Sequence, residues 1–221
     1  MSQPIHLSIE RNTKLKCKAA SCNNFRLNVS GYCKFHFKKA NLFGNPLGKS
    51  IRHSEYKREY EDVSNLITKN INHVATVTSL TFIQSWLDMA SNGKSCLQAS
   101  EIDRLVKGGV SALDILLETS AVFLFSQRKP KSLHDNEELS YQIGIAVLRL
   151  AEQTSYINSS GIKCHRKPSG TERKSIGQHL RQSLGLFLFN VTTAINKQEQ
   201  DEFDFREKLW TPLDSTVRIN H

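Results

Sequence analysis

Long apolar runs and membrane-type segments are missing from this sequence of 221 residues. No uninterrupted apolar stretch approaches the roughly 20 residues that a membrane span requires. No positively charged head precedes an apolar run with a small-residue cleavage site. We therefore expect a cytoplasmic protein without a membrane partner. Periodic apolar segments after residue 55 argue against general disorder, so most of the chain should fold.

The fingerprints of common enzyme classes are also missing. There is no Walker-type loop, no dinucleotide fingerprint and no Gly-x-Ser-x-Gly elbow. The triplet His134-Asp135-Asn136 comes nearest to a catalytic or metal site, but it stands at an expected helix start, where Asp and Asn act as caps. Cys164-His165 offers two metal ligands without a second pair. We therefore expect no enzyme, and a nuclease with an unrecognised site stays open.

Cysteine is scarce, and its placement is uneven. Three of the five cysteines and one histidine fall within the stretch "CKAASCNNFRLNVSGYCKFH", residues 17–36. An odd count with one cluster fits metal ligation in a reducing compartment better than a framework of disulfides.

The spacing within this stretch is typical of a zinc site. Cys17-x4-Cys22 and Cys33-x2-His36 form two ligand pairs ten residues apart, and two such pairs can wrap one tetrahedral ion. Four protein ligands close the site, which indicates structural Zn²⁺. The alternative is three small buried thiols beside a surface histidine, but the segment is too polar and too basic to build a core from them.

The net charge belongs to the same part of the chain. Residues 1–60 hold twelve Lys or Arg against three Glu, which leaves +9, and the other 161 residues hold eighteen of each sign. A charge run is often only a solvated face, but this concentration favours a polyanion as partner. The predicted nucleic-acid-binding residues are Lys14, Lys16, Lys18, Arg26, Lys34, Lys38, Lys39, Lys49 and Arg52.

Four aromatic residues alternate with these charges. Phe25, Tyr32, Phe35 and Phe37 could stack on unpaired bases. A zinc module of about thirty residues has little other apolar material, so packing inside the module is favoured for Tyr32 and Phe37.

The segment over residues 17–46 reads "CKAASCNNFRLNVSGYCKFHFKKANLFGNP". The stretch resembles a small Cys3His zinc module of bacteriophage and mobile-element proteins that is often attached to HNH-type endonucleases. The match consists of Gly31-Tyr32-Cys33, His36-Phe37, Lys39 and Gly44-Asn45-Pro46. Ser21, Lys39 and Asn45 stand where such modules commonly have Gly, Arg and Asp. The resemblance implies a zinc module of DNA-acting proteins, and the residues of an HNH nuclease site are not visible.

The rest of the chain predicts helices. Apolar residues recur at steps of three or four from residue 56 to 87, with a weak centre over 74–82 and an end at Asn92-Gly93. Further helices are expected from Ser100 to before Pro130, from Asp135 or Asn136, and from Thr171 to Ile195, with a polar loop over 158–170. The fold class is therefore mainly α, a small N-terminal zinc-binding module followed by a bundle of about four helices.

Four regions follow from these patterns. They are a polar arm over 1–16 with a short strand at 5–9, a zinc-binding basic module over 17–50, a helical domain over 54–196, and a tail over 197–221 with Leu209, Trp210 and Pro212 as a possible anchor.

The first hypothesis is a DNA-binding accessory protein of phage or mobile-element type, whose helical body serves oligomerisation or partner binding. The second is a protein-interaction adaptor with a structural zinc knuckle and no nucleic-acid role.

Overall fold

The computed structural model describes residues 5–43, 45–91 and 99–210. Within these ranges the protein is mainly α-helical, which confirms the predicted fold class, and a small Cys/His module precedes a helical body. The region predicted as an arm contains α1 (Ile5–Thr13), and the module contains α2 (Lys34–Phe43). The predicted helix end at Asn92-Gly93 and the anchor residue Pro212 lie outside the described residues.

Three of the four helices predicted for the body are each divided into two shorter helices in the structure. The first consists of α3 (Lys57–Lys69) and α4 (Val74–Ser91), and the stretch expected to be weak is helical. The second consists of α5 (Ala99–Lys107) and α6 (Ala112–Arg128). Its break includes Gly109, which adopts a φ of +71° that favours glycine.

The helices after residue 130 follow the prediction closely at their starts. Asp135 caps α7 (Asn136–Leu148) by accepting from the N–H groups of Glu137 and Glu138. Ser169 caps α8 (Gly170–Ser183), and α9 (Gly185–Trp210) follows after Leu184. Because α9 continues to Trp210, it runs through the boundary that the sequence placed at residue 196.

Two local predictions are wrong. Residues 5–9 belong to α1 and do not form a strand, since a helix satisfies its own backbone whereas a strand needs a neighbour. The loop expected over 158–170 includes part of a hairpin, in which β1 (Ser155–Ile157) pairs antiparallel with β2 (Lys163–His165).

One hydrophobic core fills the helical body. Its fully buried members come from α3 to α9 and include Val63, Ile83, Ile102, Leu105, Ile115, Leu116, Leu124, Ile143, Leu180 and Leu188. Within the described part of the chain, no single helix has the length and apolarity to cross a membrane. The α5 and α6 pair, bent by 116°, passes that test only when both are taken together.

The closest helix contact in the body joins α7 and α8. A Cβ added at Gly144 would lie 2.6 Å from the carbonyl carbon of Arg173, and one added at Gly177 would lie 2.7 Å from the backbone nitrogen of Gly144. The two backbones therefore meet with no space for a side chain. Small residues at both positions are what allow this approach.

The metal module rests on the same two helices. Phe43 at the end of α2 packs edge-on against Tyr141 of α7, with ring centroids 4.9 Å apart. Leu42 lies against Gly170 at the start of α8. The segment that leaves the module is held by Gln142, whose amide accepts from the Ile51 N–H at 3.0 Å and donates to the Lys49 carbonyl at 2.7 Å.

Gly144→Ala and Gly177→Ala should each destabilise the protein strongly, because the added methyl group must push two helix backbones apart. We expect a loss of about 3 kcal/mol in unfolding free energy and a drop in Tm of roughly 6–12 °C, measured by thermal denaturation. Gly185→Ala is the matched control, since a Cβ there meets nothing within 4 Å. A Gly144→Ala protein as stable as the Gly185→Ala protein would contradict the close contact.

Candidate metal centre

The first ligand pair lies on a tight loop closed by backbone hydrogen bonds. The Cys17 N–H donates to the Asn24 carbonyl at 2.9 Å, and the Cys22 N–H donates to the Ala19 carbonyl at 3.2 Å. Ser21, just before Cys22, has a φ of +59°, a left-handed conformation that glycine adopts more easily. The loop thereby turns both thiols toward the same side.

The second pair marks the beginning of α2. Cys33 immediately precedes the helix, and its carbonyl accepts from the Phe37 N–H at 2.8 Å. His36 lies three residues further on, in the first turn. Because residues three apart share one side of a helix, the imidazole of His36 returns toward the thiol of Cys33.

Three separations among the four ligand atoms match those that a tetrahedral ion requires. Bond lengths to zinc predict about 3.8 Å between two sulfurs and about 3.6 Å between a sulfur and an imidazole nitrogen. The Cys22 and Cys33 sulfurs are 3.9 Å apart, and the His36 Nδ1 lies 3.4 Å from the Cys33 Sγ and 3.5 Å from the Cys17 Sγ. All four atoms lie within 4.8 Å of one another. The set can therefore hold a metal ion between Cys17, Cys22, Cys33 and His36.

Backbone donors around the sulfurs agree with negatively charged ligands. The Cys17 Sγ accepts from the Ala19 N–H at 3.5 Å and from the Cys33 N–H at 3.3 Å. Such donors stabilise thiolates, which are the form that binds metals. Cys17, Cys22, Cys33 and Cys164 are all free of disulfides.

The acidity of two thiols differs for local reasons. The backbone N–H of His36, together with Cys22, the His36 ring and the Phe35 N–H, lowers the pKa of Cys33 to about 6 against the effect of burial. The Asn24 N–H lowers the pKa of Cys22, but burial and the thiols of Cys17 and Cys33 outweigh it, so this pKa is raised. At neutral pH the Cys33 thiol would therefore already be ionised when a metal ion binds.

The module contains little apolar packing of its own. Its buried cluster consists of Cys17, Ala19 and Cys33, with Cys22 and Tyr32 packed against it. This packing of Tyr32 agrees with the prediction, whereas Phe37 is 38% exposed. A cluster this small buries too little apolar surface to stabilise a fold by itself.

The predicted basic residues separate into three groups. Lys18, Lys34 and Lys38 are exposed on the module. Others interact within the module: Lys14 pairs with Glu10, Lys16 donates to the Asn23 carbonyl, Lys39 lies over the Phe35 ring, and Arg26 donates to Asn12 and to the Lys16 carbonyl. Lys49 and Arg52 lie on the segment that leaves the module, where both contact Glu55.

A groove beside the metal ligands is lined by aromatic and basic side chains. It has a volume of about 490 Å³ and is lined by Asn24, Phe25, Cys33, Lys34, Phe35 and Lys38. The Phe25 and Phe35 rings are 58% and 59% exposed. Lysine ammonium groups lie over them, Lys16 at 4.4 Å and Lys39 at 4.9 Å from the ring centroids.

Sequence reasoning missed the contribution of Asn12, which belongs to the region predicted as an arm. Its side-chain amide donates to the carbonyls of Asn28 and Ser30, and its oxygen accepts from Arg26. Asn12 therefore joins α1 to the loop between the two ligand pairs. No local signal in the sequence indicates this role, because the partners lie 14 to 18 residues away.

The other candidate sites of the sequence stay apart from this cluster. Cys164 and His165 lie on β2, where Cys164 is paired with Tyr156 across the hairpin. Asp135 serves as the cap of α7. Across residues 5–43, 45–91 and 99–210, the group with metal-binding geometry is the one formed by Cys17, Cys22, Cys33 and His36.

Purified protein should hold one metal ion per chain, and Cys33→Ser should lose it, because three ligands bind far more weakly than four. Elemental analysis after gel filtration measures the content. Cys164→Ser removes a half-buried thiol outside the cluster and should retain the full equivalent. Equal metal content in the two variants would contradict the assigned ligands.

Metal affinity should depend on pH in a defined direction, because the thiols must lose their protons to bind. Above a pH of about 6, Cys33 is mostly ionised and only groups with higher pKa values release protons. Below that pH, protons compete at Cys33 as well, so apparent affinity should fall more steeply. Competition with a chromophoric chelator from pH 5 to 8 measures the slope, and a slope constant across this range would contradict the lowered pKa.

Comparison with models of protein families, with curated proteins and with solved structures found no match to this chain. The case for function therefore rests on the residues themselves. They provide four side chains that can hold a metal ion and, directly beside them, a groove lined by exposed rings and lysines.

Proposed function

We propose that this chain is a zinc-stabilised nucleic-acid-binding protein, of the accessory or regulatory type found in phages and mobile elements, with DNA as the first candidate ligand. The observation that carries the proposal is the groove beside the metal centre. Two exposed phenylalanines and two exposed lysines, Phe25, Phe35, Lys34 and Lys38, line it together.

Zinc is the ion that the ligand set favours. Three thiolates and one imidazole are soft ligands, which magnesium and calcium avoid and structural zinc sites use. With four protein ligands, no coordination position remains for a catalytic water. The ion would act as the core of the module, holding the loop with Phe25 and the helix with Phe35 in fixed positions.

The groove chemistry matches nucleic acid on two counts. Lysine ammonium groups neutralise phosphates and release counterions, which gives affinity without reading sequence. Exposed aromatic rings offer surfaces on which unpaired bases stack, at about 1–3 kcal/mol for each base. Lys16 and Lys39 each lie over one face of these rings, so a base would stack on the opposite face or displace the ammonium group.

The helical body would supply a contact to a second copy or to a protein partner. Support comes from apolar side chains that remain exposed on α9, where Leu186 is 77% and Phe189 is 61% exposed. These two residues are three apart and therefore lie on one side of the helix.

Fluorescence polarisation with a labelled single-stranded oligonucleotide and its duplex tests the proposal. Wild-type protein should bind at low salt and lose affinity steeply as salt rises. Phe35→Ala should weaken binding to the single strand about tenfold, whereas Phe203→Ala, which removes an equally exposed ring from α9, should leave it unchanged.

A charge reversal on the helical body serves as a control for charge reversal at the two lysines of the groove. The double variant Lys34→Glu and Lys38→Glu should lower the salt dependence by roughly one ion per lost phosphate contact. Lys131→Glu reverses one exposed charge on the body and should change little. If wild-type protein with its metal bound shows no binding at low salt, the proposal fails and the adaptor function takes first place.

A further inference from the structure

A second basic site lies between the exit of the metal module and the helical body. This cleft of about 350 Å³ is bordered by Ser50 of the exit segment, Arg149 after α7, Lys167 and Pro168 before α8, and Arg173 within α8. Arg104 of α5 closes its inner side. None of the nine residues that line the cleft is acidic, although four are cationic.

Arg104 forms part of the cleft wall and is not available to a ligand, because its guanidinium already donates hydrogen bonds within the protein. Its guanidinium is 9% exposed and donates to the Glu101 carboxylate at 2.9 Å. It also donates to the carbonyls of Leu148, Ala151 and Glu152 at 2.7–3.0 Å. Arg104 thus fixes the end of α7, and its charge is balanced by Glu101.

Arg149 and Arg173 are oriented by the protein but retain unused donors. Arg149 donates to the Ile51 carbonyl and to the Ser50 hydroxyl, both at 2.7 Å. Arg173 donates to the Tyr141 hydroxyl at 2.9 Å. A guanidinium carries five N–H donors, so each keeps several for a ligand. Because their positions are already fixed, little side-chain entropy would be lost on binding.

Lys167 completes the cleft from the opposite loop. It is exposed, and the buried Pro168 that follows it restricts the backbone beside it. Three cationic groups, Arg149, Lys167 and Arg173, therefore border one cleft without a carboxylate among the lining residues. The carboxylate of Glu118 interacts with Arg149 and offsets part of its charge, and an anion in the cleft would interact favourably with the positive charge that remains.

We propose that this cleft binds a phosphate group. Two guanidinium forks and an ammonium match the several oxygens of a phosphate, which accepts paired hydrogen bonds from arginine. The volume lies at the small end of the range for ligand sites and suits a single nucleotide or one backbone phosphate. The proposal concerns residues outside the metal module and does not rest on the nucleic-acid function of that module.

Isothermal titration with inorganic phosphate, at ionic strength held constant with chloride, tests the site on the full chain. We expect saturable binding with a Kd of about 1 mM or tighter. Lys167→Gln and Arg173→Gln should each weaken it about fivefold or more. Lys163→Gln is the matched control, because Lys163 is an exposed lysine on β2, four residues from Lys167. Thermal denaturation checks that the Arg173 variant is folded.

Absence of saturable phosphate binding overturns the proposal, and so does an equal loss in Lys163→Gln and Lys167→Gln, since that would reflect general charge only. A fluorescence titration of Lys167→Gln with the labelled oligonucleotide then identifies the source of the phosphate. Weaker oligonucleotide binding assigns the cleft to a nucleic-acid backbone, and unchanged binding assigns it to a small phosphate-bearing molecule. Both results require that phosphate binds to the cleft, which the titration with inorganic phosphate measures without any oligonucleotide. Failure of the proposed nucleic-acid function of the metal module would therefore be recognised separately.

Discussion

The backbone contact between α7 and α8 at Gly144 and Gly177 is the constraint on which the remaining architecture depends. It brings Tyr141 and Gly170 to one surface, where Phe43 and Leu42 of α2 are packed. A wider separation would displace both the seat of the metal module and the border of the basic cleft. Two glycines without side chains therefore determine how the module meets the body, because only they permit this approach.

Within the module, a metal ion held by the four candidate ligands would take the place of a hydrophobic core. Cys17, Ala19 and Cys33 bury little surface, whereas an ion bound by all four residues would join the loop after α1 to the start of α2. With such an ion in place, aromatic residues are not needed for packing. Phe25 and Phe35 are exposed beside Lys34 and Lys38, so the candidate metal centre and the proposed ligand chemistry lie side by side.

Some positively charged side chains of the protein are paired with a nearby carboxylate, and others are exposed. Many cations of the body are neutralised within it, as when Arg128 binds Asp62 and Glu199 at 2.7 Å each. Lys34 and Lys38 in the groove, and Lys167 in the cleft, are exposed instead. Formal charge along the sequence locates the first group but not the second, because the cleft draws its cations from a region whose charges balance overall.

The sequence by itself determined the spacing of the four candidate ligands, the helical class and the cap at Asp135, since spacing, apolar periodicity and capping chemistry are local properties. Its prediction of a short strand at residues 5–9 is wrong, and it could not place the break after Lys69, because packing decides whether a periodic segment stays continuous. Only the tertiary structure decided that Phe25 and Phe35 are exposed while Tyr32 packs on the cysteines. It alone brought Arg149, which follows α7, to Lys167 and Arg173, which lie before and within α8, because these two parts of the chain meet only through the folded contact of the two helices.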